Sequence, residues 1–270
     1  MTELQILEQA AGIVHQAGED ILLPAFRQTE FTLKSDNSVV TATDHNAQTF
    51  IRNALAAAFP GIKLLGEEMD ASTQIGLLQA ADEYLWCLDP LDGTTNFAMG
   101  VPYFAISLAL LRNKKAIMGI VYDPLRQECF SAIAGQGAWL NGERLASHPV
   151  QSGMTMANAI ALVDFKRLQP ALAARLATAA PYRSQRSFGS VALDWCWLAA
   201  GRGQLYLHGK QRLWDFAAGS LVAAQAGAFR QTLEGEFHEI LDLEPRSVLA
   251  AMDATLFAQW RDFVTGNYDE

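Results

Sequence analysis

The chain has 270 residues, of which 50% are hydrophobic and 18% are charged, and its formal net charge is −9. This is globular composition, and the length suffices for one large domain or two packed subdomains. The acidic balance argues against electrostatic capture of nucleic acid, so nucleic acid is not expected as a partner.

Neither apolar runs nor cysteines indicate a membrane or secreted protein. The longest apolar run, Phe104 to Leu111, is far shorter than the roughly 20 residues that span a bilayer. The N-terminus has early acidic residues and no apolar block of signal-peptide type. Three widely spaced cysteines, Cys87, Cys129 and Cys196, lie in apolar surroundings and are expected to be reduced core thiols. We therefore expect a cytoplasmic protein with no membrane segment.

In the first half of the chain, apolar spacing predicts two helices, buried strands and then an antiparallel meander. Thr41 or Thr43 is the candidate N-cap of the second helix. In chain order the elements are a helix from Glu3 to Leu23, short strands between 26 and 40 around Ser35-Asp36-Asn37, a helix from Asp44 to Phe59, strands Ile62 to Leu65 and Tyr84 to Leu88, and the meander from Tyr103 to Leu145 with a hairpin turn at Asn141-Gly142.

Beyond residue 150 the pattern returns to alternating strands and helices. The predicted elements are a strand from Ala157 to Val163, helices near Pro170 to Ala179 and Ser190 to Ala200, a strand from Gln204 to Leu207, a helix from Asp215 to Ala226, and a strand from Val248 to Met252 with a helix behind it. Mixed sheets layered with helices follow from this order, which is an α/β (α+β) fold class. We expect residues 1–270 to form one compact unit, with possible subdomains at 1–150 and 151–270.

Four carboxylates lie where predicted apolar elements end, namely Glu67, Asp89, Asp92 and Asp215. Such strand ends are where α/β sheets bind ligands. Taken singly, each is also explained as a helix cap or a turn residue. The set is harder to explain in this way, because two carboxylates roughly 4 Å apart repel by about 4 kcal/mol at an effective dielectric constant near 20. A dense cluster must either protonate or hold cations.

The stretch from Asp89 to Phe97, DPLDGTTNF, combines a magnesium-type donor set with a phosphate-type turn. Magnesium takes oxygen ligands, and Pro90 fixes the backbone so that the Leu91 carbonyl can point inward together with both aspartates. Gly93 allows an anion to approach the backbone closely, and a helix beginning here would direct free N–H groups at phosphate. The combination predicts metal-assisted hydrolysis of a phosphoester.

These motifs resemble the inositol monophosphatase family of Mg-dependent, lithium-sensitive phosphatases. The resemblance rests on GEE at 66–68, DPLDGTTNF at 89–97 and WDFAAG at 214–219, with RSFGSVA at 186–192 and other matches over nearly the whole chain. It implies a layered αβαβα sandwich, commonly a homodimer, that acts on a small phosphorylated metabolite.

The resemblance also implies roles for individual residues. Two or three Mg²⁺ ions would be held by Glu67, Asp89, Leu91, Asp92 and Asp215, with Glu67 also among the catalytic residues. Thr94, supported by Asp44, would orient the attacking water. Phosphate and substrate contacts would come from Gly93, Thr94, Gly189, Ser190, Val191, His208 and Asp215.

His208 departs from the family pattern. Inositol-specific members carry a glutamate there, seven residues before the WD aspartate, and it accepts hydrogen bonds from ring hydroxyls. A histidine is instead a potential donor or cation. It is interpreted either as a substrate contact or as an exposed residue at a strand end. The same third of the chain is rich in cations, some of which we expect on the substrate side: Arg183, Arg186, Arg202, Lys210 and Arg212.

Three functions remain open at this point. The first is Mg-dependent hydrolysis of a small phosphorylated polyol or sugar. The second keeps this chemistry but takes a 3′(2′),5′-bisphosphate nucleotide or fructose 1,6-bisphosphate as substrate, and His208 motivates it. The third is a transcription-accessory protein that binds RNA or polymerase, as at least one bacterial relative in the family does.

Overall fold

A computed structural model of the protein describes residues 1–28, 31–33, 39–80, 83–145 and 154–266. The predicted turn Ser35-Asp36-Asn37 lies outside these ranges. In the described part the helices are α1 (Glu3–Ala17), α2 (Leu23–Ala25), α3 (Ala42–Ala58), α4 (Ala71–Gln79), α5 (Thr94–Met99), α6 (Pro170–Thr178), α7 (Val191–Ala199), α8 (Leu213–Gln225) and α9 (Ala254–Thr265). A π-helical turn covers Gly18–Leu22, and 3₁₀ turns cover Met156–Asn158 and Phe165–Arg167.

The strands of the described residues form a short hairpin and two mixed sheets. Those of the hairpin and of the larger sheet are β1 (Phe31–Leu33), β2 (Val39–Thr41), β3 (Lys63–Gly66), β4 (Tyr84–Asp92), β5 (Ala105–Arg112), β6 (Lys115–Asp123), β7 (Glu128–Ile133), β8 (Gly137–Leu140) and β9 (Glu143–Arg144). Those of the smaller sheet are β10 (Ile160–Asp164), β11 (Ser184–Arg186), β12 (Leu205–Gln211), β13 (Phe229–Gln231) and β14 (Arg246–Ala251).

Each sheet combines parallel and antiparallel pairs. The larger sheet has the order β3-β4-β5-β6-β7-β8-β9, in which only the β3–β4 pair is parallel. The smaller sheet has the order β11-β10-β12-β14-β13, in which β10 is parallel to both of its neighbours. The predicted meander is therefore confirmed, and it continues the sheet that begins at β3 and β4.

Three hydrophobic clusters among the described residues define five layers. In the first, α1 and α3 pack on one face of the larger sheet through side chains such as Val14 and Ile51. In the central cluster, α7 and α8 lie between the two sheets and bury Trp195 and Phe216. In the third, α6 and α9 cover the outer face of the smaller sheet. This order is the predicted αβαβα sandwich, and its central core draws on both halves of the chain.

Most predicted elements are present, with shifted ends. The first helix ends at Ala17 rather than Leu23, and the chain continues through the π-helical turn that begins at Gly18. A Cβ on Gly18 would lie 2.6 Å from the Tyr122 ring, so the helix approaches β6 closely here. The second helix begins after Thr41, whose side chain and Asp44 form a capping box. Helix α4 and strands β11 and β13 lack sufficient periodicity and were not predicted.

The prediction that a strand ends at Leu88 is wrong in one functionally important respect. Strand β4 continues to Asp92, and its register with β5 shifts between Asp89 and Asp92. This irregularity places both aspartates on a strand rather than in a turn. The three cysteines are free, as expected, but only Cys87 and Cys196 are buried in the core, whereas Cys129 is half-buried. Within the described residues no helix is long and apolar enough to cross a membrane.

Candidate active site

The first two groups of the site come from neighbouring parallel strands. Glu67 directly follows β3, and its backbone N–H donates to the Leu88 carbonyl of β4 at 3.1 Å. Asp89 and Asp92 are buried in the last four residues of β4. Because β3 and β4 are parallel, their carboxyl ends lie at the same edge of the sheet. Glu67 thus follows its strand as predicted, whereas Asp89 and Asp92 lie within the last residues of β4 at the same edge of the sheet.

The helices between the sheets supply the rest of the acidic group. Asp215 is in the first turn of α8, and its carboxylate accepts a hydrogen bond from the Arg212 backbone N–H at 2.9 Å. The N-terminus of α7 holds Asp92, whose Oδ2 accepts from the Ser190 hydroxyl and from the Ala192 N–H, both at 2.6 Å. Ser190 thus acts on a carboxylate and also caps α7.

The electrostatics show that these carboxylates are close enough to oppose one another's ionisation. Burial, followed by the charges of Glu67, Asp92 and Asp215, raises the pKa of Asp89 well above its ordinary value. Burial and then the Asp92 charge do the same to the pKa of Asp215. Burial raises the pKa of Asp92 to about 6, although its hydrogen bonds from α7 oppose the shift. The four acids predicted from sequence therefore lie within electrostatic reach of one another, and their joint binding of metal ions stays a prediction.

A second hydrogen-bonded group joins α3 to the turn after β4. The Thr94 hydroxyl lies 3.2 Å from Asp44 Oδ1 and 3.0 Å from the Leu91 carbonyl oxygen. The other oxygen of Asp44 accepts from the Thr41 N–H at 2.8 Å and from the Thr41 hydroxyl at 2.6 Å. Burial raises the pKa of Asp44 to about 6 against these hydrogen bonds. The predicted pairing of Thr94 with Asp44 is present.

The phosphate-type turn has the conformation that its glycine predicts. Gly93 has φ +96°, and a Cβ there would lie 3.0 Å from the Tyr103 carbonyl oxygen. Asn96, two residues into α5, donates to the Tyr103 and Phe188 carbonyls, each at 2.7 Å. It thereby ties the turn to the loop before α7. Sequence analysis missed this role of Asn96, although the residue lies inside the DPLDGTTNF motif.

A cavity of about 230 Å³ lies over these groups. Its lining includes predicted residues, namely Glu67, Asp92, Gly93, Thr94, Gly189, Ser190, Val191, His208 and Asp215. It also includes charged residues that were not predicted for the site: Asp164, Lys166, Arg167 and Asp194. Asp164 is the last residue of β10, Lys166 and Arg167 follow that strand, and Asp194 lies in α7; no short motif marks them.

The cationic residues that line the cavity differ from those expected on the substrate side. Lys210 lines the cavity, whereas Arg183, Arg186, Arg202 and Arg212 are absent from its lining. Arg202 instead forms an ion pair with Glu128, with its Nη1 at 2.6 Å from a carboxylate oxygen. The interpretation of His208 as exposed is wrong, since it is buried at 4% relative exposure. Sequence position alone does not show which way a strand end faces.

A family model described as the inositol monophosphatase family matches residues 3–263. The chain belongs to the inositol monophosphatase family. Inositol monophosphatase 1 of Solanum lycopersicum is 37% identical over 235 residues, which cover 83% of this chain and 82% of the relative. The Nus factor SuhB of Vibrio cholerae is 34% identical over 263 residues, which cover 92% of this chain and 94% of the relative.

Solved structures of this family share the fold. A staphylococcal inositol monophosphatase-1, crystallised as an inhibitory complex soaked in 100 mM LiCl, has a TM-score of 0.85 at 24% identity, over 99% of this chain and 97% of that one. At this identity the likeness shows the fold. The predicted family, fold class and enzyme class, a phosphatase of the inositol monophosphatase type, are therefore confirmed.

The inositol monophosphatase family is metal-dependent, and the donor set here fits a hard cation. The site offers carboxylate oxygens, and within the described ranges none of Asp89, Asp92 and Asp215 forms an ion pair with Lys or Arg. Burial raises the pKa of the Cys87 thiol, which keeps it protonated and outside the ligand set. In the same ranges no three acidic, His or Cys side chains already surround one point as ligands. Oxygen donors with unbalanced charge favour Mg²⁺ over Zn²⁺.

Proposed function

We propose that the protein is a Mg²⁺-dependent phosphomonoesterase that hydrolyses a small phosphorylated polyol or sugar. The observation that carries this proposal is the mutual effect of Glu67, Asp89, Asp92 and Asp215 on one another's ionisation, beside the Thr94–Asp44 pair. Buried carboxylates of this density are destabilising until cations neutralise them. Membership of a phosphatase family gives the reaction class.

Two or three Mg²⁺ ions are proposed. Glu67, Asp89 and the Leu91 carbonyl would hold one, and Asp89, Asp92 and Asp215 a second, with a third near Glu67. When bound, Mg²⁺ neutralises phosphate charge and acidifies water for attack on phosphorus.

The chain's own residues orient the reactants. The Thr94 hydroxyl has one proton and two acceptors within reach. Donation to an ionised Asp44 leaves the Thr94 lone pairs available to accept a hydrogen bond from the attacking water. The backbone N–H groups of Gly93 and Thr94 are proposed to hold the phosphate at the beginning of α5. Gly189, Ser190 and Val191 also line the cavity, and they are proposed to contact the substrate.

The deciding experiment is the substitution Asp89→Asn, assayed with Mg²⁺ on a panel of phosphate esters. Turnover is expected to fall by more than the roughly 10- to 100-fold typical of groups that only support metal ligands. The metal-free variant is expected to unfold at a temperature no lower than wild type, because one buried like charge has been removed. The control is Asp253→Asn at the N-cap of α9, since asparagine also caps helices well. Unaltered turnover in Asp89→Asn would reject the proposed function.

The second candidate within the same chemistry is a bisphosphate substrate, either a 3′(2′),5′-bisphosphate nucleotide or fructose 1,6-bisphosphate. The observation in its favour is the presence of Lys166, Arg167 and Lys210 around the cavity. A higher kcat/KM for these bisphosphates than for inositol 1-phosphate would decide for it.

A role in transcription is favoured by one comparison, the likeness to the Nus factor SuhB of Vibrio cholerae. This role predicts capture of RNA or RNA polymerase by the tagged protein. Recovery of neither, together with Mg²⁺-dependent hydrolysis, would leave the phosphatase as the main function.

We also propose that the phosphatase is lithium-sensitive and homodimeric. Light scattering is expected to give about twice the chain mass of 29.5 kDa. Competition between Li⁺ and Mg²⁺ in the ester assay tests the lithium proposal.

A further inference from the structure

The cavity lining includes a buried histidine, His208, whose two ring nitrogens are both hydrogen-bonded. His208 Nε2 lies 3.2 Å from Asp164 Oδ2, and His208 Nδ1 accepts the Lys210 backbone N–H at 3.1 Å. Because Nδ1 is an acceptor, the proton resides on Nε2 and is donated to Asp164. His208 therefore has no ring nitrogen left to bind a substrate.

Asp164 is the member of this pair that is open to the cavity. Its side chain is 27% exposed, whereas that of His208 is 5% exposed. The two residues are register partners on the parallel strands β10 and β12. Asp164 Oδ1 accepts the Lys166 N–H at 3.0 Å, and Oδ2 accepts from His208. Since a carboxylate oxygen has two acceptor positions, each oxygen retains one for a ligand.

The segment that carries Asp164 is fixed in place. Gly209, next to His208, packs so closely on the 3₁₀ turn Phe165–Arg167 that a Cβ there would overlap the Arg167 carbonyl oxygen. Burial acts to raise the pKa of Asp164, but the hydrogen bonds from His208 and the Lys166 N–H, together with the charge of Arg167, outweigh it, so the pKa is lowered. Asp164 is thus a preorganised, ionised acceptor in the cavity wall.

We propose that Asp164 accepts hydrogen bonds from hydroxyl groups of the leaving alcohol and that His208 positions it for this role. The inference rests on the proposed phosphatase function and deepens it, because it names the residue that would select esters whose alcohol carries free hydroxyls, as in a polyol or sugar. Lys166, Arg167 and Lys210 line the same cavity. They offset the charge of Asp164 in an otherwise acidic site.

The test compares two esters with the same ring, inositol 1-phosphate and cyclohexyl phosphate, which lacks hydroxyls. For Asp164→Asn, kcat/KM for inositol 1-phosphate is expected to fall on the order of 10- to 100-fold, the usual cost of a lost hydrogen bond to a charged acceptor. For cyclohexyl phosphate the fall is expected to stay within about threefold, because no hydroxyl depends on Asp164. The matched control is Asp253→Asn, at an N-cap that is not part of the cavity lining, and it should retain the wild-type ratio of kcat/KM between the two esters.

His208 is tested by a conservative and a disruptive substitution. A glutamine amide can still donate to Asp164, so His208→Gln should preserve most of the preference for the inositol ester. His208→Leu removes the donor and should lower that preference as Asp164→Asn does. If the role of His208 were purely structural, His208→Leu would instead lower kcat/KM equally for both esters and would also lower the unfolding temperature.

Two outcomes separate this inference from the proposed function. An equal fall in kcat/KM for both esters in Asp164→Asn would overturn the role of Asp164 but not the proposed phosphatase function. Absence of hydrolysis of either ester by wild type would overturn the proposed function. In that case calorimetry of the binding of the two esters tests the role of Asp164. If Asp164 binds hydroxyl groups, Asp164→Asn weakens the binding of inositol 1-phosphate more than that of cyclohexyl phosphate.

Discussion

At the residue scale, the site depends on which oxygen of each carboxylate already accepts a hydrogen bond. Asp44 uses one carboxylate oxygen on Thr41 and has the other 3.2 Å from Thr94. Asp92 is held by α7 through a single oxygen, Oδ2. Hydrogen bonds of this kind fix the direction of a carboxylate before any ligand binds, which reduces the entropy lost on binding.

Thr94→Val removes the hydroxyl that orients water and keeps the shape of the side chain. We expect kcat to fall by roughly 100-fold or more, in the range of lost proton-transfer groups, with little change in KM. Thr94→Ser retains the hydroxyl and should recover most of the activity. Steady-state kinetics with saturating Mg²⁺ provides the measurement. A kcat for Thr94→Val within a few-fold of Thr94→Ser would exclude this role.

At the element scale, two helices that carry site residues are packed on each other through a glycine. A Cβ on Gly219 of α8 would lie 2.8 Å from Trp195 Cβ and 2.9 Å from the Ala192 carbonyl oxygen of α7. The α7 N-terminus holds Asp92, and α8 carries Asp215. The contact at Gly219 therefore sets the distance between two proposed metal ligands.

Gly219→Ala is expected to lower the free energy of unfolding by about 1–3 kcal/mol, as overpacking of a core does. It should also raise the Mg²⁺ concentration needed for half-maximal activity, because α7 and α8 are forced apart. The control is Gly76→Ala in α4, where an added Cβ meets nothing within 4 Å. That substitution should stabilise the protein slightly, since alanine favours a helix by about 1 kcal/mol over glycine. Urea unfolding measures the stability effect, and Mg²⁺ titration of the activity measures the effect on metal binding. The same Mg²⁺ requirement in Gly219→Ala as in wild type would contradict the packing argument.

At the scale of the whole molecule, the buried acids of the site destabilise the folded state when no cation is bound. Burial raises the pKa values of Asp44 and Asp92 to about 6 and that of Asp89 well above its ordinary value. A carboxyl whose pKa is raised by folding binds its proton more tightly in the folded state than in the unfolded state. Stability then falls as pH rises from the unfolded pKa, near 4, through the folded pKa.

In chelator, the unfolding temperature is therefore expected to fall between pH 4 and pH 7. The pKa shift of Asp44 alone, from 3.8 to about 6, corresponds to a loss of about 3 kcal/mol in the free energy of unfolding. Excess Mg²⁺ should reverse the trend, because cations bind the ionised carboxylates of the folded state and stabilise it more as pH rises. Thermal melts at several pH values with and without Mg²⁺ test this. A metal-free protein that gains stability over the same range would contradict the assigned shifts.

The sequence by itself determined the layers and the acidic group. Helical and strand periodicity predicted most elements, since it reflects which faces are buried, and DPLDGTTNF with WDFAAG indicated the reaction class. Only the tertiary structure decided that β4 runs on to Asp92, that Arg202 pairs with Glu128, and that the Asp164 side chain is more exposed than the His208 side chain in the same cavity lining. These three outcomes depend on register and on pairing across strands that are distant in the chain. Local spacing carries no information about them, because a side chain's direction at a strand end is set by its neighbours in space.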